Sequence, residues 1–148
     1  MITSAKNFFT KEERQQIVEA IKEAELNTSG EIRVHIENNC SGDPMKRALY
    51  WFGKMGMHKT ELRNGVLFYL AVKSRKFAIV GDEGINNAVP DNFWEKIKIS
   101  MALRFQQRDF AQGLVNGILE AGRALKKYFP HQSDDVNELS DEISFGRN

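Results

Sequence analysis

The sequence predicts an α/β fold, an α-β-α sandwich in which a small mixed β-sheet is flanked by helices on both faces. Segments of helical and strand periodicity follow one another in the order α-β-α-β-β-α-α. The strand–helix–strand unit makes the first two strands parallel, and a short turn makes the third antiparallel to the second. A chain of 148 residues has the size of one domain. We expect residues 1–130 to form this single domain and residues 131–148 to be a polar, acidic C-terminal tail.

The first helix is marked by a capping box. Thr10 and Glu13 stand at the spacing at which each side chain satisfies a free backbone N–H of the other residue. We expect this helix to end near Gly30, where glycine can adopt a left-handed conformation. Residues 31–37 then alternate polar and apolar side chains without exception. This alternation predicts a strand with one buried face, at or near a sheet edge.

The remaining elements have similar signals. Asp43 followed by Pro44 predicts the start of the second helix. Residues 66–72 are continuously apolar, which suits a central strand covered on both faces, and a turn leads into a third strand at residues 76–80. Residues 90–92 open the third helix. Asp109 is predicted to cap the fourth.

Composition excludes several classes of partner. With 21 basic and 20 acidic residues, the net charge is +1. This charge is too small to produce an electrostatic field that attracts nucleic acid. The single cysteine, Cys40, cannot form an internal disulfide, and no apolar run has the length of a signal peptide or a membrane span. We therefore expect a cytoplasmic monomer that has no membrane span and does not bind nucleic acid.

The predicted topology brings polar turns together. Gly30, the Asn64-Gly65 turn and the loop at residues 81–87 should meet at one end of the sheet. Calcium prefers oxygen ligands from carboxylates, amides and carbonyls, and these turns are rich in such groups. The candidate ligands for a divalent cation are Asp82, Glu83, Asn64, Asn86, Asn87 and Asp91. The alternative is that Asp82 and Glu83 are solvated and that Asp91 only caps the third helix.

Other chemistry has weaker signals. His35, His58 and His131 are widely separated, without the ligand spacing of a zinc site. His35 falls on the polar face of the first strand, where a solvated or hydrogen-bonded histidine is expected. The sequence contains no strong catalytic motif, so no catalytic residue is assigned.

Four segments in a fixed order carry a family resemblance. They are SGEIRV at 29–34, NGVL at 64–67, IVGDEG at 79–84 and FQQRDFAQG at 105–113. The chain resembles the TPM domain family, which includes the thylakoid photosystem II repair protein and many bacterial proteins of unassigned role. The resemblance covers about residues 8–128 and implies an α-β-α sandwich. It also implies calcium binding, as in some members, and a weak acid phosphatase activity suggested for plant relatives.

The chain departs from the family pattern at two positions of the expected ion site. Family members commonly have Asp-Asn-Gly where this chain has Arg63-Asn64-Gly65, so a cation replaces a carboxylate. The Gly-x-Gly turn of the family is one residue longer here, at residues 81–84. The chain is similar to a short bacterial subgroup that ends in an acidic tail.

Three functional hypotheses remain open. The first is a calcium-binding module whose loops stiffen around the ion for contact with another protein. The second is a weak metal-assisted acid phosphatase, which rests on the resemblance alone. The third is an ion-independent interaction domain that uses Trp51, Phe52 or the tail as contacts.

Overall fold

The computed structural model describes residues 4–131 and 143–146 of the chain. The helices are α1 Ala5–Phe8, α2 Lys11–Glu25, α3 Pro44–Lys54, α4 Glu83–Ala88, α5 Phe93–Gln106 and α6 Phe110–Tyr128. The strands are β1 Glu31–Glu37, β2 Gly65–Ala71, β3 Lys76–Gly81 and β4 Ser144–Phe145. A single 3-10 turn, Met57–Lys59, precedes β2. Among the described residues, no helix combines the length and the apolar character needed to cross a bilayer.

The strands form one mixed sheet in the order β3-β2-β1-β4. β1 and β2 are parallel, and β3 is antiparallel to β2, which confirms the predicted pairing of these three strands. The fourth strand is an addition to the prediction. It pairs parallel with β1 through Ser144 and Phe145, which come from the segment expected to be a tail. The acidic residues of that tail, between 132 and 142, lie outside the described residues.

Helices cover both faces of the sheet, as predicted. The larger core lies between the sheet and α2, α5 and α6. Its strand residues are Ile32, Val34, Ile36, Val66, Phe68, Leu70 and Ile79. The smaller core lies between the other face and α3. Its buried residues are Cys40, Ala48, Phe52, Met57, Leu67, Tyr69, Ala71, Ala78 and Val80.

Most of the predicted helix starts are confirmed. The Thr10 hydroxyl accepts from the Glu13 backbone N–H at 3.0 Å, and the Glu13 carboxylate accepts from the Thr10 N–H at 2.9 Å. Asp43 caps α3 by accepting from the Met45 N–H at 3.0 Å. α6 begins directly after Asp109, but the carboxylate of Asp109 forms no side-chain cap. It accepts from the Arg104 guanidinium at 2.9 Å, so the predicted capping role is wrong.

Two local predictions are corrected. Gly30 does not take the left-handed conformation after α2, because Asn27 takes it instead with φ 67°. Gly30 has a packing role, since a Cβ there would lie 2.6 Å from Leu125 Cδ2. The predicted loop at residues 81–87 contains the short helix α4, which Asp82 caps.

Most of the polar face of β1 is buried, contrary to the prediction of one buried face. His35 is 1% exposed and Glu37 is 0% exposed, although both side chains lie on the side opposite the larger core. α3, β2 and the residues of β4 surround them, and β2 and β4 are distant from β1 in sequence. The alternation of polar and apolar residues in β1 therefore identified the two faces of the strand. It did not show that other elements bury both faces.

Candidate functional site

Three turns converge at one end of the sheet, as the topology predicted. The Asp82 N–H donates to the Gly65 carbonyl at 2.9 Å, which joins the end of β3 to the start of β2. The Asn64 amide donates to the Ser29 hydroxyl at 3.2 Å, which joins the turn before β2 to the turn before β1. We call the group of Ser29, Arg63, Asn64, Asp82 and Glu83 the Asp82 rim.

Arg63 occupies the centre of the Asp82 rim. Its Nε lies 2.7 Å from Asp82 Oδ2, and its Nη2 lies 2.9 Å from Asp82 Oδ1. Its Nη1 lies 3.4 Å from Glu83 Oε1. The hydrogen bond to Asp82 raises the pKa of Arg63 above its ordinary value. Two carboxylates of the predicted ion site thus share one positive charge that belongs to the chain itself.

The start of α4 fixes the position of these carboxylates. Asp82 Oδ1 accepts from the Glu83 N–H at 2.8 Å, and the Gly84 N–H donates to the Arg63 carbonyl at 2.8 Å. A Cβ on Gly84 would lie 2.5 Å from that same carbonyl oxygen. Glycine at this position therefore allows the helix to begin directly against the turn that carries Arg63.

The six predicted ligands do not all contribute to the rim. Asn64 is buried at its base. Asn86 lies on α4, where its amide oxygen accepts from Trp94 Nε1 at 2.7 Å and its amide nitrogen donates to the Gly81 carbonyl at 2.7 Å. Asn87 on α4 and Asp91 before α5 are exposed. Within residues 4–131 and 143–146, no three His, Cys, Asp or Glu side chains are grouped as ligands of a metal ion.

A second polar group, which we call the Glu37 cluster, lies at the C-terminal end of β1, on the face of the sheet that α3 covers. It consists of His35, Glu37, Arg47, Trp51 and Tyr69. The buried Glu37 carboxylate accepts from Arg47 Nε at 2.7 Å, Arg47 Nη2 at 3.0 Å and Trp51 Nε1 at 3.1 Å. It also accepts from the Tyr69 hydroxyl. A buried charge is tolerated when it is paired and fully hydrogen-bonded, and Glu37 meets that condition.

The cluster shifts the titration of its members. Burial alone would raise the pKa of Glu37, but hydrogen bonds from Arg47 and Tyr69 outweigh burial and bring this pKa below its ordinary value. Burial, together with the hydrogen bond to Glu37, raises the pKa of Tyr69. Burial lowers the pKa of His35 to about 4, although the charge of Glu37 opposes the shift. The folded protein thus holds His35 neutral and Glu37 ionised near neutral pH.

His35 connects the cluster to β4. Its ring packs on Trp51 with a centroid distance of 4.1 Å, and its Nδ1 lies 2.7 Å from the Ser144 hydroxyl. Its Nε2 is buried and has no hydrogen-bond partner in the part of the chain that the structure describes. His35 is therefore hydrogen-bonded and excluded from solvent, one of the two states expected from the sequence.

The Glu37 cluster was not predicted from the sequence, although the sequence contains usable signals for it. His35 and Glu37 are two residues apart on a strand and share a face. Arg47 and Trp51 are four residues apart on α3 and also share a face. Trp51 is half-buried within this cluster and Phe52 is buried in the smaller core, so the structure does not leave them free as the contact residues proposed above.

The fold places the chain in the class of three-layer α/β/α domains with a mixed sheet. A family model described as the TPM domain matches residues 2–124. The chain therefore belongs to the TPM domain family, as its sequence motifs had indicated.

Solved structures agree with this assignment. The NMR structure of the BA42 protein from the psychrophilic bacterium Bizionia argentinensis is 50% identical, with a TM-score of 0.87 over 95% of this chain and 97% of that chain. The N-terminal domain of a P. gingivalis protein is 17% identical, with a TM-score of 0.69 over 85% of this chain and 83% of that chain. The N-terminal domain of cg2496 from Corynebacterium glutamicum is 16% identical, with a TM-score of 0.65 over 88% of this chain and 81% of that chain. The latter two likenesses concern the fold alone. A comparison with curated proteins gave no match.

Proposed function

We propose that this TPM domain is a binding module whose Asp82 rim takes up a divalent cation, calcium in the first instance, in competition with Arg63. The observation that carries the proposal is the pairing of both Asp82 oxygens, and one Glu83 oxygen, with a single guanidinium. Carboxylates gathered around a positive charge create the negative potential that a divalent ion also requires. A divalent ion would interact with them more strongly than a single charge does.

Arg63 has room to leave the site. Its side chain is 42% exposed, whereas that of Asp82 is 7% exposed and fixed by α4. The guanidinium can therefore rotate into water while the carboxylate stays in place. The two carboxylates and nearby carbonyl and amide oxygens, with water, would then supply the roughly six to eight oxygens that calcium prefers.

Displacement of Arg63 would change the surface that a partner protein meets. A guanidinium released from Asp82 becomes a free cation with five donors, a group that pairs well with carboxylates of another protein. The ion would also tie Asp82 and Glu83 together at the start of α4. Ion uptake and contact with a partner protein would thus involve the same side chains.

A second candidate function is ion-independent protein interaction. The same salt bridge favours it, because Arg63 already neutralises Asp82 without an ion. In this alternative the rim is a structural clamp, and partner binding is unchanged by a chelator. The weak metal-assisted phosphatase activity stays a prediction that rests on the family resemblance.

A calcium titration followed by NMR tests the main proposal. We expect amide shifts at residues 62–65 and 81–87 in the wild-type chain and their loss in Asp82→Ala. Asp109→Ala is the matched control, because Asp109 also pairs with an arginine but lies between α5 and α6. Absence of shifts at millimolar calcium would remove the ion-binding function and leave the ion-independent alternative.

A further inference from the structure

We propose that the outer edge of β1 is a docking site for an extended peptide of a partner protein, and that Ile143–Gly146 is its built-in occupant. The peptide carries a small hydroxyl residue, an aromatic residue and a glycine in succession. This site lies on the Glu37 side of the sheet, and it does not depend on ion binding at the Asp82 rim.

The backbone of β1 pairs with the segment Ile143–Gly146 along its outer edge. His35 pairs with Ser144 and Ile36 pairs with Phe145, and the Gly146 N–H donates to the Ile36 carbonyl at 2.8 Å. Addition of a strand to a sheet edge is a common mode of peptide recognition, in which the backbone supplies affinity. β4 contains only two residues, so it is a short occupant on a strand of seven. A partner peptide would therefore have few backbone pairs to displace.

The side chain of Ser144 contacts a buried ring on the face of the Glu37 cluster. Its hydroxyl lies 2.7 Å from His35 Nδ1 and 3.3 Å from the Val34 carbonyl oxygen. His35 is buried and packs on Trp51, so this ring is a fixed polar partner. A peptide without a hydroxyl group at this position would leave a buried ring nitrogen unpaired, which costs binding free energy.

Gly146 lies directly against the Glu37 cluster. A Cβ on Gly146 would lie 2.8 Å from Glu37 Oε1 and 3.1 Å from His35 Nε2. The Glu37 carboxylate cannot give way, because Arg47 and Trp51 hold that same oxygen. The edge therefore admits glycine here and rejects a larger side chain, which is a means of specificity.

The residues on the opposite face complete the pattern. Side chains of successive strand residues point to opposite faces. Ser144 points to the Glu37 cluster, and Phe145 packs with Ile143 against the larger core. The edge of β1 thus accommodates a hydroxyl group on one face of the sheet and an aromatic ring on the other. The occupant seen in the structure defines the chemistry of the partner that can replace it.

The test uses the full chain and a fluorescent peptide with the sequence of residues 141–148. Gly146→Val in the protein should release its own segment, so we expect the peptide to bind this variant at least tenfold more tightly than wild type. Ser144→Ala in the protein should increase its affinity for the peptide by a smaller factor, several-fold over wild type. Gly42→Val is the control. We expect it to leave the affinity for the peptide unchanged, since a Cβ at Gly42 meets nothing within 4 Å.

A second peptide tests the order of the side chains. It exchanges the two small residues, Ser144→Gly and Gly146→Ser, and so keeps composition and charge. We expect this second peptide to bind the Gly146→Val protein at least tenfold more weakly than the first peptide does. Equal binding of both peptides, or equal binding to wild type and variant, would overturn the proposal. Concentration-dependent dimers of the wild-type chain that exchange this segment would also overturn it, because the occupant would then be a second copy.

Discussion

Arg63, in the turn before β2, donates two parallel hydrogen bonds at 2.7 and 2.9 Å to Asp82, which lies between β3 and α4. This pairing places a cation of the chain at the position where the sequence predicted a bound ion. The resemblance to the TPM family implied a carboxylate at position 63, where this chain has arginine. In the proposed function, Arg63 would therefore compete with an ion instead of binding it. The affinity of the Asp82 rim for the proposed ion would therefore depend on residue 63 as well as on Asp82.

Gly84→Ala should destabilise the fold. The added methyl group would lie 2.5 Å from the Arg63 carbonyl oxygen, a backbone atom that cannot move without shifting the turn. Overpacking of this kind costs about 1–3 kcal/mol or more. Gly53→Ala is the matched control on α3, where the added Cβ meets nothing within 4 Å. For Gly53→Ala we expect the free energy of unfolding to rise by about 0.5–1 kcal/mol, because alanine has a higher helix propensity than glycine. Urea denaturation measures both values, and equal effects would contradict the account.

Loss of a Glu37 partner should be costly. Tyr69→Phe removes one hydrogen bond to a buried carboxylate, which costs about 1.5–3 kcal/mol. Glu37→Gln removes the charge that Arg47 pairs with, and we expect at least as large a loss. Because both side chains act on one group, the double variant should lose less than the sum of the single variants. Strict additivity in urea denaturation would show that the cluster does not act as a unit.

Stability should fall as the pH is lowered from about 6.5 to about 4. The pKa of His35 in the fold lies near 4, so in this range the unfolded chain binds a proton that the folded chain does not. The unfolding free energy therefore decreases with falling pH, by about 3 kcal/mol at most for a shift of this size. Glu37 adds a loss in the same direction below its ordinary pKa, because hydrogen bonds lower that pKa in the fold.

Unfolding by urea at pH 7 and pH 5 measures this effect. His35→Gln removes the group responsible and should flatten the pH dependence, whereas His58→Gln at an exposed position should leave it unchanged. An unchanged slope in His35→Gln would show that other groups cause the loss.

Local and topological features were predictable from the sequence. The capping box at Thr10 and the start at Pro44 depend on neighbouring residues, and the structure confirms them. The approach of Asn64 to Asp82 followed from strand directions alone, since the ends of paired strands must meet.

Features that depend on distant residues were not predictable. Ser144 and His35 are 109 positions apart, and a strand of two residues has no periodicity to detect. The covering of the polar face of β1 by these residues and α3 is likewise a tertiary effect. The sequence showed Arg63 as a cation near the expected site, but no local pattern determines which carboxylate a long side chain will bind.

Calorimetric calcium titration of Arg63→Ala tests most directly whether the Asp82 rim binds a divalent cation in competition with Arg63. We expect this variant to bind calcium at least tenfold more tightly than wild type, because the competing charge is gone. Arg104→Ala, which breaks the comparable pair with Asp109, should bind calcium as wild type does. Equal calcium affinity in wild type and Arg63→Ala, or no binding by either, would contradict the account.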